Sequence, residues 1–276
     1  NGANSRSYRR RFKASMREIT IVTTAGRPDQ QSEQLAHAVC EQLSVRFEPR
    51  KKRSVVKMSK EYDAHVIVAG KNRYEYYPKG ATEPFFFHPN SAAFRLKRLA
   101  RGEQDPMVEA CNLRAGDSFL DCTLGIGADS LVAAYTVGET GRVVGLEANP
   151  NVAFIVKKGM QMYDTTELPL TACMRNIEVI CSEAISYLKT LPDDAFDVVY
   201  MDPMFEEVIE ESNNFEALRD AGEHFTLTAK WVEEAKRVAK KRVVLKAHFR
   251  SNSFDEFGFT RDIRLTSKFH YGVIQL

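Results

Sequence analysis

The 276-residue chain contains no long apolar run, no strong excess of charge and no closely spaced pair of cysteines. Its longest apolar stretches have the length of a β-strand, so a transmembrane helix is not expected. Residues 1–17 carry six arginine and lysine residues, but no apolar core follows, so a secretory signal is not expected either. We interpret this segment as a disordered basic arm or a leader introduced by cloning.

The five cysteines are too scattered for a disulfide framework, and no C-x-x-C pair occurs. Three of them lie in apolar segments, which predicts reduced thiols in a cytoplasmic protein. The six histidines form no H-x-x-x-H pair and no cluster with cysteine. The sequence therefore predicts no metal site.

The formal net charge is only +2, from 39 basic and 37 acidic residues, and this balance does not indicate a nucleic-acid-binding protein. Lysine and arginine residues nevertheless cluster within residues 46–60 and 95–101. Two interpretations of these clusters stay open. They are either solvated faces or contacts to the phosphates of a nucleic acid.

Three parts follow the leader: a small α/β N-terminal domain (18–82), a connector with helices (83–117) and a main α/β domain (118–276). In the main domain, apolar strand-like runs alternate with helical patterns, which predicts a mostly parallel sheet with helices on both faces. The predicted strands are 118–124, 142–147, 177–181, 196–201, 242–248, 260–266 and 269–275. The predicted helices are 128–137, 150–162, 183–190 and 228–239.

The first strand of the main domain ends in a glycine loop, DCTLGIG, with Asp121, Gly125 and Gly127. Glycine lets the backbone approach a ligand closely. A dinucleotide-binding fingerprint would require a third glycine at position 130, where Ser130 stands. The loop therefore favours S-adenosylmethionine (SAM) over NAD. The ammonium group of SAM needs carboxylate or carbonyl acceptors, and Asp121 and the loop can provide them.

The next two strands also end in acidic residues. Glu147 follows Gly127 by about 20 residues, the spacing at which a carboxylate accepts the two hydroxyls of a ribose. Alternatively, Glu147 is only a favourable charge near the start of the helix at Pro150. Glu183 is either an acceptor for the adenine amino group or a favourable charge in the first turn of a helix. Asp129, just after the glycine loop, either contacts the cofactor or only interacts with the helix dipole.

The fourth strand ends in the run MDPMF, which is suited to holding a planar amine. Asp202 and the backbone carbonyl of Pro203 would accept the hydrogens of an exocyclic nucleobase amine, and Phe205 would stack on the base. A carbon-5 cytosine methyltransferase would need a cysteine nucleophile after the proline, where Met204 stands. The motif therefore predicts methyl transfer to an amine.

The runs DCTLGIGADS, EANP, VVYMDPMF and KRVVLK resemble the bacterial small-subunit rRNA guanine methyltransferases that modify the exocyclic amine (the RsmJ family). The resemblance covers roughly residues 90–276 and implies a Rossmann-like class I methyltransferase fold with a seven-stranded sheet. It also implies RNA, in the form of rRNA or the small ribosomal subunit, as the partner. The implied cofactor contacts are Ala128, Asp129, Glu147, Ala148, Glu183, Ala184 and Asp202.

The sequence departs from that family at three positions. Arginine is expected where Ala128 and Ala148 stand, so only backbone contacts are expected there. A proline is expected after Phe205, where Glu206 stands. These departures bear on the particular RNA target more than on SAM binding.

Lys246, in the run VVLKAH, either extends its charge to solvent at the end of the sheet or contacts a phosphate or the active site. The same alternatives apply to His248 and Arg250.

We therefore expect a SAM-dependent methyltransferase acting on a base amine of RNA, with guanine of small-subunit rRNA as the preferred target. Adenine in RNA or DNA, or a protein amide, is an alternative planar amine. A protein that senses SAM or binds RNA without catalysis is the alternative from another class. An NAD dehydrogenase is disfavoured by Ser130 and by the lack of a histidine or lysine hydride relay.

Overall fold

The computed structural model describes residues 19–166, 169–203 and 226–276, and these residues form two β-sheets with flanking helices. The smaller sheet has the strand order β2-β1-β3-β4. Its strands and helices are β1 (Thr20–Thr24), α1 (Gln30–Leu43), β2 (Arg46–Phe47), α2 (Val55–Tyr62), β3 (His65–Ala69) and β4 (Tyr74–Tyr77).

Two helices, α3 (Asn90–Ala100) and α4 (Pro106–Cys111), connect the small sheet to the large one. Helix α4 begins at Pro106, because the Asp105 carboxylate accepts the N–H groups of Met107 and Val108 and proline is favoured in the first turn.

The large sheet has seven strands in the order β10-β11-β9-β8-β5-β6-β7. The five strands from β9 to β7 run parallel, and β11 and β10 complete the sheet in antiparallel fashion. The strands are β5 (Ser118–Asp121), β6 (Arg142–Glu147), β7 (Ile177–Cys181), β8 (Phe196–Met201), β9 (Ala239–His248), β10 (Thr260–Asp262) and β11 (Phe269–Gln275). The helices are α5 (Ala128–Val137), α6 (Pro150–Met162), α7 (Leu170–Arg175), α8 (Ala184–Leu188), α9 (Ala229–Val238) and α10 (Ser253–Glu256).

This architecture confirms the predicted Rossmann-like α/β fold with a mostly parallel seven-stranded sheet. Strand boundaries differ in places. The strand predicted at 118–124 ends at Asp121, because its carboxylate accepts the N–H of Thr123 and turns the chain. Strand β9 starts three residues earlier than predicted, directly after helix α9. The short elements β2 and α7 were not predicted.

Strand order reverses beside β5, since β6 and β7 lie on one side of it and β8 and β9 on the other. In open α/β sheets, the crevice outside the carboxyl ends of the strands at such a point is the usual ligand site. The end of β5 and the end of β8 are therefore the expected location of the site.

The large sheet has an apolar core on each face. Helices α4 to α7 cover one face, and helices α8 and α9 cover the other. The first core continues into the small sheet through Val22, Ile67 and Tyr76. We propose that residues 18–82 form a small unit that depends on this shared core. Among the described residues, no helix has the length and apolar character needed to cross a bilayer.

Phe154 on α6 joins the two sheets, because its ring packs edge-on against Tyr74 of β4 with the centroids 5.1 Å apart. The side chain of Phe154 is almost fully buried. Replacing Phe154 with alanine should lower the free energy of unfolding by about 3–5 kcal/mol. Urea denaturation followed by circular dichroism measures this loss.

Phe94→Ala is the matched control, since Phe94 is 64% exposed and its loss should change stability by less than about 0.5 kcal/mol. Equal losses for the two variants would contradict the shared core.

Candidate active site

A cavity of about 360 Å³ lies at the carboxyl edge of the large sheet, within the size range of small-molecule sites. Its walls come from the ends of β5, β6, β7 and β8, with Lys246 of β9 and Ser91 and Arg95 of α3. Of the residues predicted for the site, those that line this cavity are Asp121, Gly125, Ala128, Asp129, Glu147, Ala148, Ala184, Asp202 and Pro203.

The glycine loop has two left-handed residues, Gly125 with φ 49° and Gly127 with φ 80°. Gly125 lines the cavity, whereas Gly127 packs underneath the loop. A Cβ on Gly127 would lie 2.4 Å from the terminal methyl group of Met160 on α6. Glycine at 127 is therefore required by backbone conformation and by close packing against this helix.

The Asp121 carboxylate lies at the floor of the cavity and is almost fully buried. It accepts the N–H of Thr123 at 3.0 Å and the hydroxyl of Ser130 at 2.7 Å. Burial raises the pKa of Asp121 to about 7. Ser130 is thus a structural partner of Asp121, a role that sequence comparison with the glycine fingerprint did not indicate.

Glu147 joins the end of β6 to the glycine loop. Its carboxylate accepts the N–H of Asn149 at 2.8 Å and also backbone hydrogen bonds from Gly125 and Ala148. Burial raises the pKa of Glu147 to about 7, although these hydrogen bonds act in the opposite direction.

Glu183 is not among the described residues that line the cavity, although its neighbours Ser182 and Ala184 are. Its carboxylate accepts a hydrogen bond from Ser186 Oγ at 2.6 Å, on its own helix. A contact between Glu183 and the adenine of a cofactor stays a prediction.

Asp202 and Pro203 directly follow β8 and face the same cavity as the glycine loop. The backbone N–H of Asp202 donates to Thr123 Oγ1 at 2.7 Å, which ties the two strand ends together. Phe205, the third predicted catalytic residue, lies outside the described residues.

Behind Asp202 is a network of charged side chains. The Lys246 ammonium contacts Asp202 Oδ2 at 2.7 Å and Asp129 Oδ2 at 3.2 Å. Asp129 also accepts hydrogen bonds from Arg95 and, at 2.8 Å, from the hydroxyl of Tyr200. Arg95 in turn binds Asp105 through two hydrogen bonds, at 2.7 and 2.8 Å.

This network sets the charge states of its members. Burial alone would raise the pKa of Asp129, but the charges of Lys246 and Arg95 hold it well below its usual range. Burial also opposes the charge of Lys246, yet Asp129 and Asp202 raise its pKa well above the usual value. Burial raises the pKa of Asp202, and Lys246 partly offsets that effect. Asp129 and Lys246 are therefore ionised at neutral pH.

Sequence reasoning did not identify Arg95, Tyr200 or Asp105 as members of the site. Arg95 belongs to a basic cluster that had two interpretations, and Tyr200 is within a buried strand. For Lys246, the structure favours the active-site interpretation over the solvent-directed one.

The hydrogen-bond acceptors that line the cavity fit SAM. The buried carboxylates of Asp121 and Glu147 flank the glycine loop and can accept hydrogen bonds from the ammonium group and the ribose hydroxyls of this cofactor. Among the described parts of the chain, no group of three or more His, Cys, Asp or Glu side chains is placed to hold a metal ion.

The family model described as "Putative SAM-dependent methyltransferase" matches residues 85–258. Protein YpiP of Bacillus subtilis, described as uncharacterized, is 44% identical over 255 residues, which cover 92% of this chain and 99% of YpiP.

Ribosomal RNA small subunit methyltransferase J of Acinetobacter baumannii (strain SDF) is 32% identical over 113 residues, or 40% of this chain and 39% of that protein. The fold is shared with the SAM-dependent methyltransferase NGO1261 of Neisseria gonorrhoeae, at a TM-score of 0.60 and 19% identity over 93% of this chain and 96% of the other. The family match spans well over half of the chain, so this protein belongs to the family of SAM-dependent methyltransferases.

Proposed function

We propose that this protein transfers a methyl group from SAM to the exocyclic amine of a base in RNA, and that the base is guanine of small-subunit rRNA. The observation that carries the proposal is the position of Asp202 and Pro203, which share one cavity with the glycine loop. The partial similarity to ribosomal RNA small subunit methyltransferase J supports an RNA target. Such a substrate places the activity in the cytoplasm.

An exocyclic amine is a weak nucleophile because the base ring delocalises its lone pair. In our proposal, the Asp202 carboxylate and the Pro203 carbonyl accept the two amine hydrogens and turn the lone pair toward the cofactor. SAM supplies a methyl group bound to a positively charged sulfur, which leaves as a neutral thioether. Acceptors that are already in place before the reaction lower its barrier.

Lys246 lies next to the proposed acceptor, the Asp202 carboxylate. Its ammonium lies 2.7 Å from Asp202 Oδ2, and no other described residue bonds to the Asp202 carboxylate. The lysine favours the ionised form of Asp202, which can accept hydrogens from an amine. When the N–C bond has formed, the nitrogen carries one surplus proton, and the Asp202 carboxylate is placed to receive it.

On the cofactor side, we assign the ammonium group to Asp121 and the ribose hydroxyls to Glu147. The backbone at Gly125, Ala128 and Ala148 would form the wall beside the cofactor, with Ala184 beside the adenine. Gly127 would support the loop from below. Stacking of Phe205 on the base stays a prediction.

Mass spectrometry of rRNA nucleosides from cells with and without the gene tests the proposed function. A methylated guanosine should disappear from small-subunit rRNA when the gene is deleted and return on complementation. Purified protein should then be offered small-subunit particles, naked rRNA, tRNA, DNA and protein. Methylation of adenine or of a protein amide would show that the substrate is another planar amine. No methylation of any of these substrates would favour a protein that senses SAM without catalysis.

Replacing Asp202 with alanine should cut turnover by about a hundredfold or more while SAM affinity stays within about tenfold, because a reaction-specific acceptor is lost. Single-turnover kinetics and calorimetric SAM titration measure the two effects. Asp193→Ala is the control, since the Asp193 side chain is 76% exposed and pairs with Arg237 on the surface. An equal loss of SAM binding and turnover would instead make Asp202 a cofactor ligand.

Replacing Lys246 with methionine should move the acidic limb of the kcat/KM profile to higher pH. Lys246 lowers the pKa of Asp202, so its removal raises that pKa, and a higher pH is then needed to ionise the carboxylate. In this variant, Asp129 keeps its hydrogen bonds from Arg95 and Tyr200.

The matched control is Lys241→Met, because Lys241 lies on the same strand and is also bracketed by two aspartates, Asp117 and Asp197. This variant should keep the wild-type pH profile, and Lys246→Arg should restore part of it. A Lys246→Met profile that merely decreases in height at every pH would refute the role of Lys246 in ionising Asp202.

SAM should bind more weakly as the pH falls below 7. Burial raises the pKa of Asp121 and Glu147 to about 7, so both carboxyls are largely protonated one unit below and largely ionised one unit above. The dissociation constant should rise about tenfold across that interval for each ionised carboxylate that binding requires. Glu147→Gln should bind SAM more weakly and with a smaller pH dependence in calorimetry, and a pH-independent affinity of the wild type would contradict both assignments.

A further inference from the structure

A row of rings and cations continues from the cavity along the end of β9. His248 lies opposite Phe269 of β11, and Lys246 lies opposite Tyr271. Side chains two residues apart on a strand point to the same face, so Lys246, His248 and Phe269 share one face of the sheet. This face begins at the catalytic cavity, because Lys246 is part of its wall.

The rings and cations on this face form an unbroken series of contacts. The Lys246 ammonium lies 5.7 Å from the centroid of the Phe269 ring. The His248 ring lies 6.2 Å from Phe269, edge-on, and 4.5 Å from Phe249. The Arg250 guanidinium lies 5.2 Å from the Phe249 ring. We call Phe269, His248, Phe249 and Arg250 the aromatic–basic track.

The outer end of the track is accessible and positively charged. Phe249 is 39% exposed, and Arg250 is exposed and forms no ion pair with a described residue. The adjoining loop, residues 263–268, carries Arg264 and Lys268 and no acidic residue.

We propose that the aromatic–basic track binds the single-stranded RNA that flanks the methylated base. This inference rests on the proposed function and adds to it the surface that holds the substrate. Flanking bases stack on the rings of Phe249 and His248, and Arg250 contacts a backbone phosphate. Together with the cavity, the track positions the target nucleotide on its strand.

The chemistry favours RNA over a protein partner. Every base presents a flat face that stacks on an aromatic ring, and an arginine beside that ring matches the phosphate that joins successive bases. In the proposed function the cavity takes a single base, and enzymes that act on a base either use a single-stranded substrate or extrude that base from its helix. The exposed side chains of Ile263 and Leu265 on the adjoining loop point to a protein partner as the competing occupant.

The test compares Phe249→Ala and Arg250→Ser with two control variants, Phe94→Ala on α3 and Arg175→Ser at the end of α7. Phe94 is also an exposed ring and Arg175 an exposed cation, but neither lines the cavity nor belongs to the track. Fluorescence anisotropy with a short single-stranded RNA measures binding over a series of salt concentrations. Steady-state kinetics on naked rRNA separates kcat from KM, and calorimetry measures SAM affinity.

Both track variants should weaken RNA binding and raise KM by about tenfold, since one stacked base or one phosphate contact is lost. Turnover and SAM affinity should remain near the wild-type values, because the cavity is untouched. Arg250→Ser should also reduce the salt dependence of RNA binding by roughly one phosphate contact. The two control variants should resemble the wild type.

Wild-type RNA affinity and KM in both track variants would overturn the inference while the proposed function stands. Normal methylation of naked rRNA but impaired methylation of the assembled particle would assign the track to a protein partner and also overturn it. If the wild-type protein methylates no RNA, the proposed function fails and the inference fails with it.

Discussion

The active site depends on one partly buried ammonium group, Lys246, held between Asp129 and Asp202. Removing a charged group from water costs several kcal/mol, and only well-placed opposite charges compensate for it. Lys246 therefore forces α5, β8 and β9 into a fixed relation, and Arg95 extends that requirement to α3. Loss of one member would leave the others with an uncompensated charge.

The cavity has two sides with opposite electrostatics. Asp121 and Glu147 have few cations near them, and burial raises the pKa of each to about 7. Asp129, equally enclosed, has two cations beside it and a pKa far below its usual range. The positive charge of SAM suits the first side, where neither carboxylate forms an ion pair with a described residue. The second side needs no charge from a ligand, so it can bind a neutral amine.

Substrate choice is a separate matter from cofactor binding. The matched stretch of ribosomal RNA small subunit methyltransferase J is only about two fifths of this chain, whereas the match to YpiP covers nearly all of it. The small sheet lies outside the family match and packs on α6 through a shared core. The aromatic–basic track lies beside the cavity at the other edge of the large sheet. In our proposal, the target of methylation depends on the aromatic–basic track, about which the glycine loop gives no information.

The sequence by itself determined those elements that are indicated by patterns of neighbouring residues. Alternating strands and helices predicted the seven-stranded sheet, and the glycine loop with Glu147 predicted SAM, because both patterns are written in neighbouring residues. Strand ends were less accurate, since Asp121 stops β5 through a side-chain hydrogen bond that periodicity does not encode. Only the tertiary structure decided the charge network: Lys246 and Asp129 are 117 positions apart, and Tyr200 and Asp129 are 71 apart. No local sequence pattern indicates such pairs, because the two residues interact only after folding has brought them together and removed them from water.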